Sequence, residues 1–381
     1  MRILYFTRDY TTHDRRFLKK MAQSRHEVFF LRLEDDGIEY ERRPLPDKIV
    51  PISWQGGKEP AKTPDEWIRL MPHFSMILEE VRPDLVHAGP VQSCAFMTAL
   101  AGFHPLLVMS WGSDMLIDAG RDEFWQWMTK YTLERADFVF CDCQAVREAV
   151  CRTVPFADES ILQDCWGVDL SQFSPGPDRL GLKKRPGWED SVVVLTTRTW
   201  EPIYGPDIAL EAFAKAYRNN DRLRLIMLGS GSMKKDIDHR IRSAGLDAVI
   251  DCPGHVRHDQ LPDFFRASDL YLSCSYSDGS SISLMEAMAT GLPVIVTDSP
   301  GNREWVRQGE NGWLAPAGVP EPFGSLIAEA SALPLERRNA IGSLNRRTVE
   351  RSADGDITFS RLLEIYDRIE RQWKTTQKKG E

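Results

Sequence analysis

Short apolar runs alternate with amphipathic helical segments along most of this chain. The runs that read as buried strands are 3–6, 28–31, 85–87, 106–109, 138–141, 192–195, 225–228, 270–272 and 294–296. Such alternation is typical of parallel sheets covered by helices. The alternation of strands and helices stops after residue 141 and begins again at residue 192. The pattern therefore predicts an α/β protein with two Rossmann-like domains.

The positions of proline, glycine and polar residues indicate the boundaries of these domains. Proline and glycine cluster at 166–177, and a polar stretch follows up to residue 189, which is typical of a linker. We therefore predict a first domain over 1–165, a linker over 166–190 and a second domain over 191–358. The remaining segment, 359–381, carries Leu362, Ile365, Ile369 and Trp373 at helical spacing, which predicts a C-terminal helix.

Length and composition narrow the class of protein. A chain of 381 residues is long for one domain, and its net charge of −8 weighs against a dedicated nucleic-acid binder. The seven cysteines are scattered without metal-ligand spacing, which favours free thiols in a reducing cytosol. The start of the chain reads as a strand, so we expect no signal peptide. No apolar run approaches the roughly 20 residues that span a bilayer, so we expect a cytoplasmic protein, at most peripherally bound to membranes.

The segment 275–297 carries the most chemistry. A polar loop rich in glycine and serine leads into an apolar helix, and a Gly-Leu-Pro turn then leads into a buried strand. The carboxylates of Asp278 and Glu286 stand eight positions apart around the start of this helix. Free backbone N–H groups at a helix start suit a phosphate, and a carboxylate suits hydroxyl groups because it only accepts hydrogen bonds. The segment is that of a nucleotide-sugar site, or else a surface loop leading into an ordinary core helix.

This segment resembles the signature of glycosyltransferase family 4, retaining enzymes of the GT-B fold. The family pattern is E-G-x-x-x-x-x-x-E-A-M-A-x-G-x-P-V; here Asp278 takes the place of the first Glu, and 286–294 matches fully. Downstream, 301–304 and 309–314 resemble the family's G-x-x-E and G-x-N-G-x-L segments, and 166–175 resembles its interdomain link. The resemblance implies two Rossmann-like domains facing a central cleft, with a C-terminal helix that crosses back to the first domain.

The resemblance also implies a donor site in the second domain. There Asp278 would contact the sugar, Glu286 the ribose hydroxyls, and the backbone near Val256 the base. The residues implied to surround the diphosphate are Arg198, Gly279, Ser280, Ser281, Ile282 and Ser283. The family's lysine is missing, because Tyr204 precedes the glycine at its place. Arg303 is a candidate for the missing charge, with an exposed surface arginine as the alternative.

In the first domain the resemblance is looser. His13 lies after the first strand, where relatives place a histidine, and is either a site residue or a helix cap. Trp111 or Gly112 stands where the active-site histidine is expected, and the usual Gly-Gly pair is absent. Asp114 would bind a donor or acceptor hydroxyl, or would cap the next helix. The basic, amphipathic segment 15–25 fits either a membrane surface or an ordinary solvated helix face.

The function implied by the resemblance is that of a retaining glycosyltransferase. The donor would be a UDP- or GDP-sugar, and the acceptor a hydroxyl of a glycan, glycolipid or small molecule. No cofactor, metal ion or nucleic acid is expected. Two alternatives stay open: a nucleotide-sugar binding protein with little or no turnover, favoured by the missing lysine, Gly-Gly pair and histidine, and a related GT-B enzyme such as a UDP-sugar epimerase.

Overall fold

The computed structural model describes residues 1–35, 44–58 and 61–380, and the side chains of these up to Trp373. Two compact units emerge from the contacts: Met1–Cys165 with Thr358–Glu381, and Trp166–Ile357. The segment predicted as a linker, 166–190, thus belongs to the second unit, and the C-terminal segment belongs to the first. The end of that segment, Glu381, lies outside the described residues.

A seven-stranded parallel sheet forms the centre of the first unit. Its strands are β1 (Arg2–Thr7), β2 (Glu27–Arg32), β3 (Ile49–Pro51), β4 (Leu85–Gly89), β5 (Leu106–Met109), β6 (Phe138–Cys141) and β7 (Ile161–Gln163). They lie in the order β3-β2-β1-β4-β5-β6-β7, so the winding direction reverses between β1 and β4. Loops that follow the strands at such a reversal are where ligands enter this kind of sheet.

Among the described residues, the following α-helices connect these strands. They are α1 (Thr12–Met21), α2 (Pro64–Val81), α3 (Phe96–Leu100), α4 (Ser113–Leu116), α5 (Glu123–Leu133) and α6 (Gln144–Thr153). Helix α1 begins at a capping box, in which Thr11 accepts from the backbone N–H of Asp14 and the Asp14 carboxylate accepts from that of Thr11. The cap is therefore Thr11, and the interpretation of His13 as the cap is wrong.

The second unit repeats the plan with a six-stranded parallel sheet. Its strands are β8 (Val192–Thr196), β9 (Leu223–Leu228), β10 (Ile250–Gly254), β11 (Leu270–Ser273), β12 (Val294–Thr297) and β13 (Gly312–Ala315), in the order β10-β9-β8-β11-β12-β13. Its helices are α7 (Pro206–Tyr217), α8 (Lys234–Ser243), α9 (Leu261–Arg266), α10 (Ile282–Ala289), α11 (Pro300–Arg303), α12 (Pro320–Ala332) and α13 (Leu335–Ser352). Here the reversal lies between β8 and β11.

The nine predicted strands are confirmed, and the four that the sequence pattern missed share one property. Strands β3, β7, β10 and β13 are the outer strands of the two sheets. An outer strand pairs on one side only and need not be apolar throughout, so its sequence carries a weaker pattern. Strand β10, for example, ends in Asp-Cys-Pro-Gly.

The C-terminal segment forms helix α14 (Gly355–Gly380), and its buried face differs from the predicted one. Leu362, Tyr366 and Ile369 are buried, whereas Ile365 is only partly buried. The hydroxyl of Tyr366 lies 2.6 Å from Nδ1 of the buried His87 in β4. Burial lowers the pKa of His87 to about 3, so His87 is a neutral structural group that anchors this helix.

Within the described parts of the chain, no helix is both long enough and apolar enough to cross a bilayer.

Candidate functional site

Two neighbouring strands of the second unit bring the predicted donor-site residues together. Arg198 follows β8 and the loop 274–281 follows β11, so both leave the sheet at its carboxyl edge, beside the reversal of strand order. Close backbone approach fixes this loop from the other side: a Cβ on Gly301 would lie 2.2 Å from the carbonyl oxygen of Gly279. Position 301 therefore requires glycine, and the predicted G-x-x-E segment serves to hold the loop.

The guanidinium of Arg198 lies at the centre of this cluster. It donates to Oδ1 of Asp278 at 2.6 Å, to Oγ of Ser283 at 3.1 Å and to Oγ of Ser281 at 3.4 Å. Ser281 is the N-cap residue of α10. The arrangement places a permanently charged fork beside the free N–H groups of a helix start, which is a favourable environment for phosphate oxygens.

Burial shapes the electrostatics of the pair. The side chains of Arg198 and Asp278 are 15% and 11% exposed. Burial disfavours the charge on Arg198, but the Asp278 carboxylate together with Tyr204 and Tyr271 outweighs this effect, so the pKa of the guanidinium lies above its ordinary value. Burial likewise raises the pKa of Asp278, and Arg198 with the Ser275 hydroxyl offsets this only in part. Oδ2 of Asp278 is buried and has no hydrogen-bond partner among the described residues, so an acceptor remains for a ligand.

Tyr204 occupies the place of the missing lysine and contacts Arg198 directly. The guanidinium carbon lies 4.2 Å from the centre of the Tyr204 ring, a cation–π contact. The residue that follows, Gly205, has a φ of +57°, and a Cβ there would lie 2.5 Å from the carbonyl oxygen of Cys274. At the position where the family resemblance implies a lysine, the chain therefore has an aromatic ring that packs against Arg198.

Glu286, the second carboxylate of the motif, lies in α10 and is 4% exposed. Its Oε1 lies 2.9 Å from Nε2 of His258, in the segment between β10 and α9. Sequence reasoning did not select His258, because the pairing joins residues 28 positions apart and His258 stands in a polar stretch without periodicity. The one feature of the sequence that could have indicated His258 is its position two residues after Val256, which is predicted to lie near the base.

The remaining residues that were predicted to line the donor site lie in three places. Ser280 is buried in the loop before α10, and Ile282 begins the helix. Val256 is partly buried in the segment that follows β10. Arg303 is 60% exposed and forms a two-point ion pair with Asp298, so the structure supports the alternative interpretation of Arg303 as a surface residue.

Asp114, in the first unit, is a saturated buried carboxylate. Oδ1 accepts from Ser110 Oγ at 2.6 Å and from the backbone N–H groups of Trp111 and Met115 at 3.0 Å, and Oδ2 accepts from that of Val91 at 3.1 Å. Burial raises its pKa, although these hydrogen bonds oppose the shift. The N-cap of α4 is Gly112, so Asp114 braces the loops after β4 and β5 from within the helix.

His13 lies in the first turn of α1 and is partly buried. Its ring centre lies 6.0 Å from that of Trp111, the residue at the place of the expected histidine. The basic segment that continues from here is partly neutralised within the unit, because Arg25 donates to Asp367 at 2.7 Å and to Glu370 at 2.9 Å in α14.

Among the described side chains, no group of three or more His, Cys, Asp or Glu residues is placed to hold a metal ion.

Two protein-family models match the chain. The model described as "Glycosyl transferase 4-like" matches residues 2–143, and the model described as "Glycosyl transferases group 1" matches residues 179–348. The two matches fall in the first and the second unit. The second match includes Arg198 and the whole segment 275–297.

Two curated glycosyltransferases resemble the chain over about half of its length. The chain is 30% identical over 178 residues to D-inositol 3-phosphate glycosyltransferase of Streptomyces bingchenggensis, a match that covers 44% of this chain and 39% of that protein. It is 22% identical over 213 residues to the amylovoran biosynthesis glycosyltransferase AmsK of Erwinia amylovora, which covers 53% of this chain and 51% of AmsK. The matches therefore span about half or less of these relatives' length.

Solved structures resemble the chain over nearly its whole length. HepE of Anabaena, solved in complex with UDP-glucose, gives a TM-score of 0.77 at 19% identity and covers 97% of this chain and 100% of its own. Sucrose-phosphate synthase of Thermosynechococcus elongatus gives 0.80 at 17% identity, covering 98% and 100%. At these identities the likeness concerns the fold, and it confirms the predicted pair of parallel-sheet domains.

Proposed function

The chain belongs to the family 4-like glycosyltransferases of the GT-B fold, and on that premise we propose that it is a retaining glycosyltransferase. It moves a sugar from a nucleoside-diphosphate sugar to a hydroxyl group of an acceptor. The observation that carries the proposal is the Arg198 cluster at the start of α10, where a charged fork, a helix N-terminus and a carboxylate oxygen without a partner among the described residues adjoin one another.

Each part of the cluster suits one part of the donor. Arg198 and the N–H groups at the start of α10 stabilise the diphosphate, whose negative charge increases as it leaves. Oδ2 of Asp278 accepts a hydrogen bond from a sugar hydroxyl, and the carboxylate of Glu286 accepts from the ribose. The loop before α10 holds these groups in fixed positions, which lowers the entropic cost of reaching the reactive geometry.

The chemical step requires no nucleophile from the protein. The bond between the anomeric carbon and the diphosphate oxygen breaks, and the acceptor oxygen bonds to the same face of that carbon. The acceptor proton passes to the leaving phosphate. The acceptor, a glycan, glycolipid or small molecule, binds the first domain near His13, and Asp114 supports that region through the loops it braces.

UDP-sugars are the first donors to test, because HepE was solved with UDP-glucose, and GDP-sugars are the second. A thermal-shift panel of free nucleotides and nucleotide-sugars should show selective stabilisation by one donor class, since a ligand that binds the folded state stabilises it by mass action. Replacement of Glu286 by Ala should abolish that stabilisation while the variant stays folded. A folded variant with donor affinity within about threefold of wild type, less than the loss of one hydrogen bond to a charged group, would contradict the site.

A nucleotide-sugar binding protein without turnover is the second candidate. Tyr204 at the place of the family's lysine favours it, because this position then contributes no positive charge beside that of Arg198 for binding the diphosphate. Hydrolysis or transfer of the bound sugar separates the two functions. Formation of a glycoside whose anomeric configuration, read by NMR, equals that of the donor supports the retaining enzyme, and binding without any sugar release supports the second candidate.

A further inference from the structure

We infer that His258 is a positioning residue that holds the carboxylate of Glu286 in the orientation needed to bind the hydroxyl groups of a nucleotide ribose. This inference rests on the proposed function, and it assigns a role to a residue outside the sequence motif.

The contact itself defines the direction of the hydrogen bond. Nε2 of His258 lies 2.9 Å from Oε1 of Glu286. A carboxylate oxygen only accepts, so His258 donates through Nε2–H. The Glu286 side chain is 5% exposed and that of His258 is 20% exposed. His258 therefore compensates for part of the hydration that the buried carboxylate loses, and it selects one orientation of that carboxylate.

The ring of His258 is held in turn by the start of the second unit. Its centre lies 5.3 Å from that of the buried Phe173, with the rings tilted by 59°. The side chain of Gln172 donates to the carbonyl oxygen of His258 at 2.9 Å. Arg346 of α13 donates to the carbonyl oxygen of Phe173 at 2.7 Å. A chain of packed contacts thus fixes His258 before any ligand binds.

Loss of the contact between His258 and Glu286 should weaken nucleotide binding more than it slows the chemical step. With Oε1 occupied by His258, Oε2 becomes the oxygen that a ribose hydroxyl would meet. Loss of the His258 hydrogen bond lets the carboxylate turn, so the protein pays for ordering it when the nucleotide binds. The free nucleotide and the donor should be affected alike, which raises KM and leaves kcat nearly unchanged.

Three variants test the inference by calorimetric titration with UDP and with 2′,3′-dideoxy-UDP, or with GDP and its dideoxy analogue if the protein selects guanosine. His258→Leu removes the donor, and His258→Asn has a donor too short to reach Oε1. His258→Gln has an amide nitrogen near the place of Nε2. His239→Leu, on the exposed face of α8, is the matched control.

We expect His258→Leu and His258→Asn to bind UDP about tenfold more weakly, the loss of one hydrogen bond to a charged group. They should also lose most of the preference for UDP over the dideoxy analogue, whereas His258→Gln and the control should keep it. A preference unchanged in both Leu and Asn variants, with UDP affinity as in wild type, would overturn the role of His258 and leave the proposed function standing. If the wild type bound neither nucleotide, the proposed function would fall instead, and the inference with it.

Discussion

Two carboxylates at the carboxyl edge of the first sheet, Asp14 and Asp114, differ from Asp278 and Glu286 at the same edge of the second sheet in how their oxygens are used. In the first unit, Asp14 and Asp114 accept hydrogen bonds on both oxygens from neighbouring backbone and hydroxyl groups. In the second unit, Asp278 and Glu286 each have one oxygen held by a basic side chain from a distant part of the sequence. Saturated carboxylates stabilise loops, and carboxylates with remaining acceptor capacity are prepared for a ligand.

Replacement of Asp114 should have the largest effect among the variants that test this comparison. Its replacement by Ala removes the buried acceptor of a hydroxyl and of two backbone N–H groups, while the N–H of Met115 still donates to Gly112, so we expect the free energy of unfolding to fall by about 3 kcal/mol or more. Urea denaturation followed by circular dichroism measures the loss. Nucleotide affinity of the folded variant should equal that of wild type; a stable variant that has lost only nucleotide binding would move Asp114 into the binding site.

Arg198→Lys tests the second unit. Lysine keeps the charge but cannot contact Asp278, Ser283 and the Tyr204 ring at once, because a fork of donors becomes a single ammonium group. Affinity for the nucleoside diphosphate should fall by about 2 kcal/mol, roughly thirtyfold, as measured by calorimetry. A lysine variant with wild-type affinity would show that charge alone matters at this position.

The pH dependence of the free energy of unfolding tests the environment of Asp14, the other buried carboxylate of the first unit in this comparison. Burial raises the pKa of Asp14 from 3.8 to about 6. A pKa that is higher in the folded than in the unfolded state adds stability below about pH 4, and this contribution is lost as the pH rises through 6. Relative to Asp14→Asn, the wild type should therefore lose about 2–3 kcal/mol of unfolding free energy between pH 4 and pH 7. An unchanged difference between the two proteins over this range would mean that Asp14 is already ionised at pH 4.

The smallest expected effect belongs to Arg303. Its guanidinium is exposed and paired with Asp298, so Arg303→Ala should change donor affinity less than about threefold, as for other exposed ion pairs. The same calorimetric series measures it. A loss as large as that of Arg198→Lys would show that Arg303 turns from Asp298 to the diphosphate on binding.

The sequence predicted the inner strands of both sheets, because buried strands need continuous apolar runs. It also selected Arg198, Asp278 and Glu286 through a family motif. It did not predict that Arg198 and Asp278 pair across 80 positions, since a motif indicates what a residue contacts in a ligand and not what holds it beforehand. His258 and Tyr366 were missed for the same reason: their roles arise from packing between distant segments.

The most direct test of the account compares two ligands on one variant, Asp278→Asn. Asparagine can still accept from Arg198 through its amide oxygen, but it presents an NH2 group where Oδ2 now stands with no partner among the described residues. We expect the intact nucleotide-sugar selected by the wild type to bind about tenfold more weakly, and the bare nucleoside diphosphate to bind within about threefold of wild type. Equal losses for both ligands would place Asp278 on the nucleotide, and no loss for either would make it a loop residue and contradict the site.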